Sequence, residues 1–206
     1  MSATVPLFRE APYLSTAEAT VVSAGPDGIV LDRTIFYARG GGQPGDTGAI
    51  ELSDGTRLPV ADTVYGEDCE TIVSLAEAEP PGGLAGARVT LHLDWARRHR
   101  IMRMHTALHL LSVALPHPVT GGQIGADESR LDFDIPEGGL DRDAIAEAVN
   151  AMIAGDHPVA AEWITDEELE AKPDLVKTMK VKPPRGTGRV RLVRIGEDVD
   201  LQPCGG

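Results

Sequence analysis

From Trp95 to Leu115 the chain runs without a glycine or a proline, and Pro116 ends the run. A stretch of that kind is a long helix, and Asp94, just before it, is a good N-cap. Upstream the character is different. Ala19–Ser23, Ile29–Tyr37 and Arg57–Val64 are rich in β-branched and apolar residues, the composition of strands. They are bounded by Gly25-Pro26-Asp27-Gly28, by the block 40–48 and by Asp54-Gly55, which is turn chemistry. Val89–Leu93 reads as one last strand after the punctuation of Pro80-Pro81-Gly82-Gly83. The long helix thus splits the chain into residues 1–93, a small barrel or sandwich, and residues 94–206.

The second part mixes element types. Ser129–Ile135 alternates like a strand, and Asp141–Gly155 carries Ile145, Ala148, Val149 and Met152 at helical spacing, with Gly155 as its stop. His157–Ile164 returns to strand, Thr165 to Glu168 forms a capping box, and Arg189–Ile195 and Val199–Pro203 are the last strands. Without regular βαβ alternation this half is α+β.

Hydrophobic residues make up 42% and charged residues 25%, as in ordinary globular proteins. No apolar run is long enough to span a bilayer. The first residues, MSATVPLFREAPYLS, lack the basic and apolar regions of a signal peptide. Two cysteines are too few for a disulfide framework, so the expectation is a reduced, cytoplasmic protein. The net charge of −13 argues against generic nucleic-acid binding. Yet Lys172 to Arg194 contains eight basic residues against one acid, Asp174, a stripe suited either to a phosphate backbone or simply to solvent.

His105 and His109 stand four apart in the long helix, one turn from each other on one face, so both rings can reach one metal ion. Thr106 stands where a zincin metalloprotease needs a glutamate, which disfavours that class. Taken alone, such a pair is more often two packed or exposed histidines. Cys204, between Pro203 and Gly205-Gly206, is equally a buried small side chain or a third ligand. Cys69 reads as a small buried hydrophobe, and the remaining histidines, His92, His99, His117 and His157, read as structural. Gly40, Gly42 and Gly45 match GxGxxG, but Pro44 opposes the helix that a dinucleotide site requires, leaving a tight turn or a backbone that approaches a ligand. Gln123, between glycines, is either a turn residue or a hydrogen-bonding group for a substrate.

Four segments in this order, FYARGGGQPGDTG, HTALH, GGQIGADESRLDFD and VDLQPCGG, resemble the AlaX proteins of the medium-length AlaX-M type, free-standing relatives of the editing domain of alanyl-tRNA synthetase. The resemblance runs from about Leu7 to Gly206. It implies an α+β protein in which a small N-terminal β-barrel precedes an editing domain with an antiparallel sheet packed with helices. It also implies zinc held by HxxxH and CxxxH, with His105, His109 and Cys204 as three ligands and the fourth four residues after Cys204. Gln123 then belongs to the editing pocket and Gly41, Gly42 and Gln43 to the motif shaping the serine site. The implied substrate is alanine tRNA mischarged with serine, or also with glycine, and the implied reaction is hydrolysis of the aminoacyl ester.

A pocket that hydrogen-bonds the serine hydroxyl rejects alanine, because alanine leaves the polar group unpaired. Gln123 is the first candidate for that contact and Thr106 the second. Zinc would either activate a water or hold the amino group of the amino acid. The competing expectations are a tRNA-binding module without catalysis, its zinc structural or absent, and a zinc hydrolase of small esters.

Overall fold

The structure, a computed structural model, describes residues 3–136, 139–172, 175–176 and 188–206. Its contacts divide the chain into two units, Met1–Ile101 and Met102–Gly206. In the first, β1 (Val5–Pro6) and α1 (Leu7–Glu10) precede β2 (Thr16–Gly25), β3 (Gly28–Leu31), β4 (Arg33–Thr34), β5 (Gly48–Leu52), β6 (Arg57–Tyr65), β7 (Ile72–Ala76) and β8 (Arg88–Leu93). Six of these close an antiparallel barrel in the order β2-β3-β7-β6-β5-β8. Alternating burial along β8 and β6 sends Val89, Leu91 and Val60 inward, where they meet Val21, Ile29, Leu31 and Ile50. Phe36 and Ile29 are fully buried.

Ile29–Tyr37 is not one strand. The Asp32 carboxylate accepts the amide of Thr20 at 2.7 Å, and this turn separates β3 from β4, which pairs in parallel with β1 instead. Cys69 is not buried either. It is exposed in a tight turn at φ 58°, with its amide on the Gly66 carbonyl at 3.0 Å. That turn satisfies its own backbone and needs no apolar side chain.

Helix α2 (Trp95–Ala114) begins on Asp94, whose carboxylate accepts the Arg97 amide at 3.1 Å. The division between the units falls within this helix. Its first turns belong with the barrel, where Arg98 is buried against Asp46.

In the second unit, β9 (Val119–Gln123) and β10 (Arg130–Phe133) form a hairpin. An antiparallel sheet joins β11 (Val159–Ile164), β12 (Val190–Ile195) and β13 (Asp200–Pro203) in that order. Leu110 of α2 packs with Val193 and Ile195, and Val149 and Met152 of α3 (Arg142–Ala154) join them. Short α4 (Asp166–Glu170) opens on the expected capping box and buries Leu169 against Val190 and Leu192. The α+β class and the barrel are therefore as expected. Gly155 ends α3 for an unexpected reason. Its φ is −67°, and the left-handed residue is Asp156 at φ 47°. A side chain at Gly155 would strike the His157 ring, so space rather than torsion requires glycine here.

Candidate metal centre

His105 and His109 lie on α2 and Cys204 follows β13, yet their ligand atoms all lie within 4.8 Å of one another. The Cys204 sulfur is 3.3 Å from His105 Nε2, and the two imidazole rings are 5.2 Å apart at their centres. The geometry follows from local structure. The i, i+4 spacing stacks the rings on one helix face, and β13 pairs with β12 so that Cys204 leaves the sheet among Leu110, Val193 and Ile195.

The three groups are electrostatically coupled. Burial pulls His109 down, but its hydrogen bond to Asp200 and the adjacent Cys204 sulfur raise it from 6.5 to about 9. Burial likewise pushes the Cys204 thiol up, but His105 and His109 outweigh it and hold the thiol well below its usual value. A thiolate beside imidazoles is a donor set that can hold a metal, which would take the place of the proton that the raised His109 keeps.

The other candidates are placed as follows. Thr106 follows His105 on α2, and its hydroxyl donates to the Met102 carbonyl at 3.1 Å. Gln123 is exposed at the end of β9, opposite Arg130, so it is a strand residue and not a turn residue. Gly41, Gly42 and Gln43 belong to the barrel unit. The two glycines are exposed with φ of 59° and 83°, and Gln43 is buried, its amide and carbonyl paired with those of Gly40. Of the basic run, residues 173–174 and 177–187 lie outside the described residues. Arg194 pairs with Glu162, Nη2 to Oε2 at 3.1 Å, and Arg189 lies 5.0 Å over the Trp163 ring.

Sequence reasoning gave no role to Asp200, Gln202, Ser112 or Arg191. Asp200 Oδ2 is 3.0 Å from His109 Nδ1. Arg191 Nη1 donates to the carbonyls of Cys204 at 2.9 Å and Gly206 at 2.8 Å. One signal existed. Asp200 and Gln202 alternate with apolar Leu201 along a strand whose inward face carries the polar residues. As structural histidines, His99 stacks on Trp95 at 5.4 Å, and His157 packs beside Gly155 and Gly196.

The family described as tRNA synthetases class II (A) matches residues 8–97, which span the barrel and the start of α2. Similarity extends along nearly the whole chain. The alanyl-tRNA editing protein AlaX-M of Methanosarcina acetivorans is 36% identical, over 94% of this chain and 82% of its own length. The alanyl-tRNA editing protein AlaX-L of Pyrococcus horikoshii is 35% identical over 97% of this chain and 50% of its own length. The alanine–tRNA ligase of Pyrobaculum arsenaticum is 35% identical over 97% of this chain, which spans 23% of that enzyme. The chain belongs to the AlaX-M family of alanyl-tRNA editing proteins.

Proposed function

We propose that this chain is an aminoacyl-tRNA deacylase that hydrolyses the ester of serine wrongly attached to alanine tRNA. Family membership supplies the reaction class. The observation that carries the site is the convergence of His105, His109 and Cys204. No helix among the described residues is long and apolar enough to cross a membrane, and the proposed place of action is the cytoplasm.

Zinc fits the donor set. With Zn–N near 2.0 Å and Zn–S near 2.3 Å, tetrahedral bonding sets imidazole nitrogen and sulfur about 3.5 Å apart. The Cys204 to His105 separation of 3.3 Å is close to that value. His105, His109 and Cys204 would hold the ion. When bound, zinc supplies a Lewis acid at the ester or amino group of the substrate.

The chain's own residues would supply selection. The Gln123 amide both donates and accepts, so it can pair with the serine hydroxyl. Thr106 spends its single hydrogen on Met102 and retains lone pairs that accept from a substrate. Gly41, Gly42 and Gln43 would meet the substrate through backbone groups that no side chain at the two glycines obstructs. Alanine lacks the hydroxyl, so its binding would leave a polar group unpaired. The run Lys172–Arg194 is proposed to contact the tRNA backbone.

The test is deacylation by the full chain of alanine tRNA charged with serine, with glycine or with alanine. Serine release at least tenfold faster than alanine release is expected. Equal rates overturn the specificity, and no release with zinc bound overturns the activity. Gln123→His should lower that ratio.

A further inference from the structure

Ser112, Asp200 and Gln202 are polar side chains buried to 4%, 6% and 8% exposure behind His109, itself at 7%. Burial there is costly unless each group is hydrogen-bonded. They close a ring. His109 Nδ1 is 3.0 Å from Asp200 Oδ2, Gln202 Nε2 is 2.6 Å from the same oxygen and 3.2 Å from Ser112 Oγ, and Ser112 Oγ donates to the His109 carbonyl at 2.7 Å.

Counting hydrogens assigns every member. A carboxylate only accepts, so His109 must present Nδ1–H and Gln202 its amide NH2. The hydroxyl of Ser112 gives its one hydrogen to the carbonyl and therefore accepts from Gln202. The side-chain amide is thereby oriented, and with Nδ1–H held on Asp200 the nitrogen of His109 open to a metal, in exchange for its proton, is Nε2.

We infer that Asp200 and Gln202 are positioning residues of the metal centre: Asp200 holds His109 by Nδ1 so that Nε2 faces the ligand cluster, and Gln202 holds Asp200. A carboxylate behind a ligating imidazole fixes its tautomer and raises its basicity. Cys204, just past the end of β13, is the third position of the alternation that begins with Asp200 and Gln202, the residues that orient its fellow ligand. The inference rests on the zinc assignment made above.

Zinc affinity of the full chain, measured by competition with a chromophoric chelator, tests it. Asp200→Asn, which keeps the shape and loses the charge, should weaken zinc binding about 10–100-fold. Gln202→Met, which removes both donors, should weaken it by a smaller factor. Wild-type affinity in both variants overturns the positioning role. A wild type that binds no zinc overturns the zinc assignment itself, so the two failures are distinct. The nitrogen chemical shifts of the His109 ring in zinc-loaded wild type give a readout that needs no variant. A protonated Nδ1 with Nε2 as ligand supports the inference, and the reverse assignment overturns it.

Discussion

Arg98 and Asp46, 52 positions apart, form a buried ion pair in the barrel unit, with Arg98 Nε 3.0 and 2.9 Å from the two carboxylate oxygens. Arg98 Nη2 also donates to the Ile35 carbonyl at 2.9 Å, and Asp46 accepts the Tyr37 amide at 2.6 Å. The residues are only 4% and 1% exposed. Removing one partner leaves a charge buried without compensation, which typically costs about 3–5 kcal/mol. Asp46→Ala should therefore lower the unfolding free energy by about that amount in urea titration. A loss of about 1 kcal/mol or less, as for a surface pair, would show that the pair is not what anchors the start of α2.

The glycine-rich block contains glycines of two kinds. A side chain at Gly45 would run into the backbone of Thr63 and the carboxylate of Asp62, whereas one at Gly41 meets open space. Gly41 is glycine because of its φ of 59°, a left-handed backbone that costs other residues about 1–2 kcal/mol. Gly45→Ala should accordingly destabilise the protein more than Gly41→Ala. Thermal unfolding of the two variants checks the order, and the reverse ranking would refute the steric account.

Asp68 titrates far below its ordinary value of 3.8, at about 2, because it accepts hydrogen bonds from the Thr71 hydroxyl, the Thr71 amide and the Glu70 amide. A folded-state value below the unfolded one means the contribution to stability is fully present above pH 3.8 and is lost as pH falls through about 2. Carboxyl NMR should find that midpoint in the wild type. Thr71→Val removes the hydroxyl and should move Asp68 upward, while an unchanged midpoint would assign the shift to the amides alone.

Arg191 ties down the segment that carries Cys204. Its carbonyl accepts the Cys204 amide at 3.1 Å while its guanidinium reaches the carbonyls of Cys204 and Gly206. Arg191→Met should speed hydrogen exchange of the Cys204 amide and weaken zinc binding about tenfold, within the range for residues that support ligands. Arg191→Lys keeps the charge but not the fork, so an intermediate effect is expected. Unchanged exchange and affinity in Arg191→Met would show that strand pairing alone orders the segment.

Local rules made much of this protein legible without coordinates. The absence of glycine and proline marks α2, the Thr165–Glu168 capping box marks α4, and the i, i+4 spacing puts His105 and His109 on one face. Each depends on neighbours within a turn or two, so the residues concerned are visible together in the sequence. Where a distant group intervened, the local pattern failed. Asp32 caps the Thr20 amide and breaks a strand that composition made continuous.

The rest was decided by tertiary pairing. Cys204 lies 99 positions from His105 and Asp200 lies 91 from His109, and neither spacing has a periodicity from which contact follows. The register of β12 against β13 and the packing of Leu110 on that sheet bring them to one helix face. Sequence therefore determined which residues could serve as ligands. Only the folded chain decided which meet and which buried groups orient them, because proximity across so many residues is set by long-range packing and not by local torsion.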